Sequence, residues 1–164
     1  VTHPTALRST LVRAAATTAL LAPLGLAAAQ PAQAVTGVQL EKDVVRLINA
    51  ERKKAGCSAL RIEPKLTRAA SLHSYDMRLK NYFSHTSEDG RSPWTRIKAQ
   101  GYNYGSAENI AAGQRTAASV VSAWMKSTGH RKNILNCKNK AVGVGVSRGS
   151  GKYWIYWTQD FGTR

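Results

Sequence analysis

Acidic residues are scarce in this sequence: nine Asp and Glu stand against 24 Lys and Arg among 164 residues, a formal charge of +15. A surface so basic is drawn to polyanions, yet its cations sit singly or in pairs, with no zinc-finger, arginine-rich or RNA-binding aromatic signature beside them. A specific nucleic-acid partner is therefore not expected. Cysteine is scarcer still, with Cys57 and Cys137 alone, and neither has a histidine at fingertip spacing, which excludes a structural zinc site. There is no internal repeat and no low-complexity linker, and no apolar run reaches the roughly 20 residues a bilayer-spanning helix needs.

The longest apolar stretch, residues 14–29, is interrupted by Pro23 and Gly25; Arg8 and Arg13 precede it and Pro31-Ala32-Gln33-Ala34 follows. A basic front, an apolar middle and small residues in an A-x-A pattern read as a secretory signal peptide over residues 1–34, in preference to a retained anchor. The expectation is a secreted, extracellular protein whose working part is a single domain over residues 35–164, with no transmembrane segment after cleavage. Without Arg8 and Arg13 that part carries +13, so the expected partner is an anionic envelope polymer or a lipid. Its length suits one core without multiple staples, and a monomer is expected. In an oxidising compartment Cys57 and Cys137 should pair; two separate thiols are the alternative. The bridge would close a loop of about 80 residues and contribute on the order of 4 kcal/mol in the chain-entropy model.

Periodicity predicts a first helix from about Gly37 to Ala55, with Val38, Val44, Val45, Leu47 and Ile48 on its apolar side and Gly56 as its stop. Thr36 and Gln39 resemble a capping box. A second helix starts at Pro64 and turns Leu66, Ala69, Ala70, His73 and Met77 inward, which makes His73 a core histidine. Ser92-Pro93-Trp94 opens a short third helix ending at Gly101. The Gly, Asn, Tyr and Ser content from Gly101 to Gly113 argues for an irregular stretch that presents side chains. A fourth helix runs from near Thr116 to Ser127-Thr128-Gly129. Strands follow at Ala141–Val146 and Tyr153–Thr158, joined as a hairpin by Arg148-Gly149-Ser150-Gly151. Helices first and strands last give an α+β class, with helices packed on an antiparallel sheet. Trp94, Trp124, Trp154 and Trp157 read as core and sheet-packing residues, and Asp76 and Asp160 as structural.

Three ionisable residues sit at element boundaries: His85 after the second helix, Glu108 in the Gly/Asn-rich segment and His130 after the fourth helix, where an imidazolium could also cap the helix end. Two imidazoles and a carboxylate suit zinc or another divalent metal. They are also a proton-transfer set, because a glutamate orients a neighbouring imidazole. The plain alternative for Glu108 is to accept backbone hydrogen bonds in a loop. Ser84 and Ser106 lack the strained elbow of a nucleophile.

Several motifs occur in order: Phe83-Ser84-His85, Ala107-Glu108-Asn109-Ile110-Ala111, the run from Trp124 to Leu135 containing Ser127-Thr128-Gly129-His130-Arg131, Val142-Gly143-Val144-Gly145, and Trp157-Thr158-Gln159-Asp160-Phe161-Gly162. Together they resemble the bacterial branch of the CAP superfamily, which groups cysteine-rich secretory proteins, antigen 5 and pathogenesis-related 1 proteins and is also called the SCP domain. The resemblance spans residues 40–163. It implies an α-β-α sandwich with a cleft holding two His and two Glu, the His pair able to bind a divalent ion. His85 matches the first His, and Glu108 matches the Glu of the Gly-Glu-Asn motif, with Asn109 beside it in the cleft. The helix that should carry the second Glu has no acid, and Tyr156 and Trp157 stand where the second His is expected. His130 belongs to the bacterial Ser-x-Gly-His-Arg stretch and would supply the missing imidazole. The resemblance implies a secreted binding module whose cleft takes a small lipid-like or anionic ligand. A metal-dependent hydrolase using His85, Glu108 and His130, and a structural protein of wall or matrix, are the competing readings, so the sequence leaves enzymatic activity open.

Overall fold

The computed structural model describes residues 36–164, together with Val1. The expected signal peptide over 1–34 and the domain start at Val35 otherwise lie outside the described residues. Helix α1 (Gly37–Lys54) begins where the Thr36 hydroxyl accepts the Gln39 N–H at 3.1 Å. The reciprocal half of the expected capping box is not made, because the Gln39 amide donates to Asp43 instead. Leu40, Val44, Ile48 and Arg52 recur every four residues and form the buried stripe, with Val45 beside it. Val38 lies off that stripe in the first turn and is exposed, contrary to expectation. Gly56, in the left-handed region, follows the helix end.

Strand β1 (Arg61–Ile62) leads into α2 (Pro64–Leu79), with Glu63 as N-cap. Helix α3 (Pro93–Ala99) stops two residues before Gly101. The segment expected to be irregular is a strand, β2 (Gly105–Ala112), paired antiparallel to β4 (Ile155–Gly162). Its residues have weak strand preference, and the pairing overrides it. Helix α4 (Ala117–Lys126) opens on a complete Thr116–Ser119 capping box. A further helix, α5 (Thr128–Ile134), follows where a stop was expected: extended Ser127 ends α4 and starts α5, so Gly129 lies within a helix. His130 is therefore helical and does not cap α4. Strand β3 (Ala141–Arg148) completes a four-stranded sheet of order β1-β3-β4-β2. The three long strands are antiparallel, and the two-residue β1 lies parallel to β3.

The fold is an α+β sandwich. On one face α1, α4 and α5 cover Val142, Val144, Ile155, Trp157 and Phe161. On the other, α2 lies directly on β3: a Cβ at Gly143 would fall 2.0 Å from the Thr67 nitrogen, and one at Gly145 would fall 2.2 Å from the Ser71 nitrogen. The period-two Val-Gly-Val-Gly run thus places valines on one layer and bare backbone against the other. Trp124 and Trp157 are core residues as expected, whereas Trp94 and Trp154 are exposed.

Arg52 is fully buried and donates to the carbonyls of Ser58 at 3.0 Å, Ile134 at 2.7 Å, Asn136 at 3.0 Å and Asn139 at 3.1 Å. It ties the end of α1 to the loop that leaves α5. The Cys57–Cys137 disulfide closes the same junction, with Cα atoms 5.0 Å apart. His73 is buried on α2, its Nε2 2.9 Å from the Ser84 carbonyl, while Nδ1 finds no partner among the described residues. Burial, then the Arg96 charge, push its pKa from 6.5 down to about 4.

Two predictions follow from this packing. Gly145→Ala forces α2 off the sheet through backbone contacts and should cost about 3 kcal/mol or more, read by urea denaturation. Because the folded pKa of His73 lies below its unfolded value, the neutral ring's contribution is complete above pH 6.5 and is lost as pH falls toward 4. That window should carry a stability loss of about 3 kcal/mol, absent from His73→Gln.

Candidate functional site

The site is built around Glu108 in the middle of β2. Successive strand residues point to opposite faces, so Glu108 looks toward the α2 and α3 layer while Asn109 looks toward α5. The Glu108 carboxylate accepts from His85 Nδ1 at 2.7 Å through Oε1 and from Arg96 Nη2 at 2.6 Å through Oε2. Its side chain is only 2% exposed, and that of Arg96 only 5%. The backbone hydrogen bonds expected as the plain alternative are not what holds this carboxylate; two side chains on α3 and the α2–α3 loop do.

Arg96 is the residue that sequence reasoning missed. Its Nη1 donates to the His85 carbonyl at 2.8 Å, the Arg91 carbonyl at 3.0 Å and the Ser87 hydroxyl at 3.1 Å. One guanidinium therefore shapes the loop carrying His85 and neutralises Glu108. A short helix with a basic residue beside Ile97 offers no sequence signal that the cation is buried.

Asp160, expected to be merely structural, stands directly across from Glu108 in β4 and is buried. Burial, then the Glu108 charge, raise its pKa well above the carboxylate range, with Arg96 opposing. Glu108 and Asp160 thus face each other in register across the β2–β4 pair, and Asp160 Oδ1 finds no hydrogen-bond partner among the described residues.

Because a carboxylate only accepts, His85 must carry a hydrogen on Nδ1, and its half-exposed ring leaves Nε2 free of that contact. His130 reaches the same region from α5, around the outer edge of β2. Burial lowers its pKa, and the charge of His85 lowers it further. Asn109, expected in the cleft, is fully buried; its Nδ2 donates to the His130 carbonyl at 3.2 Å and to Gln159 Oε1 at 2.9 Å. Asn133 donates to Asn109 Oδ1 at 2.8 Å. Asn109 is thus the clamp that seats α5 against β2.

The set His85, Glu108 and His130 does not fit a three-ligand zinc centre as it stands. Both Glu108 oxygens are engaged, and among the described residues no three His, Cys, Asp or Glu side chains form a group able to hold a metal. Ser84 and Ser106 are also engaged, the first by the Thr86 N–H and the second with Asn139 Oδ1.

Beside this cluster a groove of about 300 Å³ runs along the edge of β2, with Ile110, Ala112 and Trp124 among its walls, Phe83 and Tyr153 at the rim, and His130 lining it too. Trp124 Nε1 donates to the Ile110 carbonyl at 3.2 Å and Asn133 Nδ2 to the Glu108 carbonyl at 3.4 Å. These side chains satisfy carbonyls of a strand that, among the described residues, lies at the edge of the sheet.

Comparison with known proteins agrees with this architecture. The chain is 50% identical over 123 residues to YkwD of Bacillus subtilis, covering 74% of this chain and 46% of that protein. It is 36% identical over 122 residues to the Bacillus subtilis membrane protein YlbC, covering 74% of this chain and 34% of that one. The chain thus spans less than half the length of these relatives. A solved extracellular protein containing an SCP domain, from Bacillus anthracis, superposes with a TM-score of 0.68 at 27% identity, covering 81% of this chain and 45% of that one. Residues 45–161 match the model of the cysteine-rich secretory protein family, CAP, and the chain belongs to that family.

Proposed function

We propose that the chain is exported and acts at or outside the cell envelope as a binding module, its β2 groove taking a small amphipathic ligand with a lipid-like body and an anionic head. One observation carries this reading: both Glu108 oxygens are engaged while the groove beside them is open. Glu108 is buried and each of its oxygens already accepts a hydrogen bond, from His85 and from Arg96, which places it poorly as the general base a hydrolytic water requires. The groove, by contrast, lies at the small end of the range for ligand clefts, and aromatic and aliphatic side chains form most of its wall. The imidazole of His130 suits an acidic head. Export is supported by the leader-like composition of residues 1–34, by the disulfide and by the extracellular protein among the structural relatives. The hydrolase reading is less favoured, because it needs Glu108 free.

Titration with a fluorescent fatty acid such as cis-parinaric acid should give saturable binding that persists in EDTA. Ala123→Phe, which fills the groove from α4, should weaken that binding about tenfold or more. Absent binding, or binding indifferent to this substitution, rules out the cleft reading. Glu108→Gln strips buried Arg96 of its counter-charge and should lower stability by about 3 kcal/mol in urea denaturation at neutral pH, a loss that removal of an exposed catalytic base would not produce.

A further inference from the structure

The tip of the β3–β4 hairpin and the last turn of α2 carry a patch that neither the core nor the cleft explains. Leu79 is 59% exposed, Phe83 45%, Tyr153 39% and Trp154 45%. They are not scattered. Phe83 and Tyr153 meet edge to face with ring centroids 6.0 Å apart, and the Lys152 N–H is fixed to Asn81 Oδ1 at 2.7 Å, which seats the tip on the end of α2. Arg78 of α2 reaches the tip at Ser150. Trp154 has φ of 62°, a left-handed conformation that bulky side chains rarely adopt, and its ring remains half exposed.

Cations border these rings. The Arg115 guanidinium lies 5.3 Å from the Trp154 ring centroid, and Lys152 Nζ lies 5.4 Å from that of Tyr153. Among the described residues neither cation is paired with a carboxylate, in a chain whose charge is already +15. Aromatic rings with polar handles, aliphatic side chains and unneutralised cations at one end of a molecule match the layered chemistry of a lipid interface, anionic outside and apolar within. A soluble polyanion would use the cations but has no use for Leu79 and Phe83.

We propose that this end of the molecule is a docking surface for the headgroup layer of an anionic phospholipid bilayer, with Trp154, Tyr153, Phe83 and Leu79 entering the interface and Arg115 and Lys152 meeting lipid phosphates. Phe83 and Tyr153 also rim the groove, so docking would bring the groove mouth to the lipid. That use rests on the cleft reading; the docking itself does not.

Trp154 provides the test. Residues 1–34 contain no tryptophan, and Trp124 and Trp157 are buried, so Trp94→Phe leaves Trp154 as the exposed reporter. With phosphatidylcholine vesicles containing phosphatidylglycerol, its emission should shift to the blue and be quenched by acyl-chain-brominated lipid. Phosphatidylcholine alone should give neither effect. In co-sedimentation, Arg115→Gln with Lys152→Gln should weaken partitioning roughly 30-fold, at about 1 kcal/mol per cation, and Trp154→Ser should weaken it independently. Ala123→Phe should leave vesicle binding unchanged, which separates failure of the cleft reading from failure of this one. The proposal is overturned by no binding to anionic vesicles, or by binding without Trp154 quenching, which would indicate attraction through overall charge alone. It is equally overturned by a concentration-dependent mass increase that Trp154→Ser abolishes, which would make the patch a contact between copies of the chain.

Discussion

The buried ion pair between Arg96 and Glu108 is the interaction on which the rest of the site depends. Two charges taken out of water are costly unless most of their remaining polar atoms are satisfied. Here Arg96 Nη1 serves Ser87 and the carbonyls of His85 and Arg91, with Nε alone finding no partner among the described residues, and Glu108 turns its second oxygen to His85. The requirement to satisfy the pair therefore fixes the α2–α3 loop, the tautomer of His85 and the position of α3 over β2 at once. It also bears on Asp160, whose pKa is raised by burial first and by the neighbouring Glu108 charge second.

A second constraint places the pair at the correct depth. With no side chains at Gly143 and Gly145, the α2 backbone meets the sheet, and His73 and Ser74 are carried down among the strands. Ser74 then bonds the Gly145 carbonyl at 3.0 Å and Thr158 at 2.8 Å. A thicker layer would lift the α2–α3 loop, and with it His85, away from β2. Arg52 and the disulfide perform the corresponding task on the opposite face by anchoring the chain that leaves α5, and Asn109 completes it by holding the His130 turn.

The elements that could be read from the sequence are those whose local signals and tertiary packing agree. Helices α1, α2 and α4 combine a cap with an apolar stripe, and the alternating valines of β3 mark a half-bare strand. Strand β2 was not legible, because Gly105, Ser106 and Asn109 form a strand only through pairing with β4 and through donors from Trp124 and Asn133. That misreading hid the site's partners as well: once residues 101–113 are taken as a loop, Asp160 has no residue opposite it. His85 with Glu108 was legible only through motif resemblance, since 23 positions separate them and only the folded chain brings them to 2.7 Å. Arg96 was illegible for a simpler reason, as arginine is ordinarily a surface residue.

The scarcity of acid gains a local meaning at this site. Of the two carboxyl groups present, Glu108 is paired with Arg96 and Asp160 is buried with its pKa raised by that burial and then by Glu108, so neither is a free surface acid facing the groove. What the opening does present is the His130 imidazole, whose pKa is lowered by burial and then by the charge of its neighbour His85. The scarcity of acid in the sequence is thus matched at the site, where the carboxyl groups are buried within the protein and aromatic and aliphatic side chains form most of the groove wall.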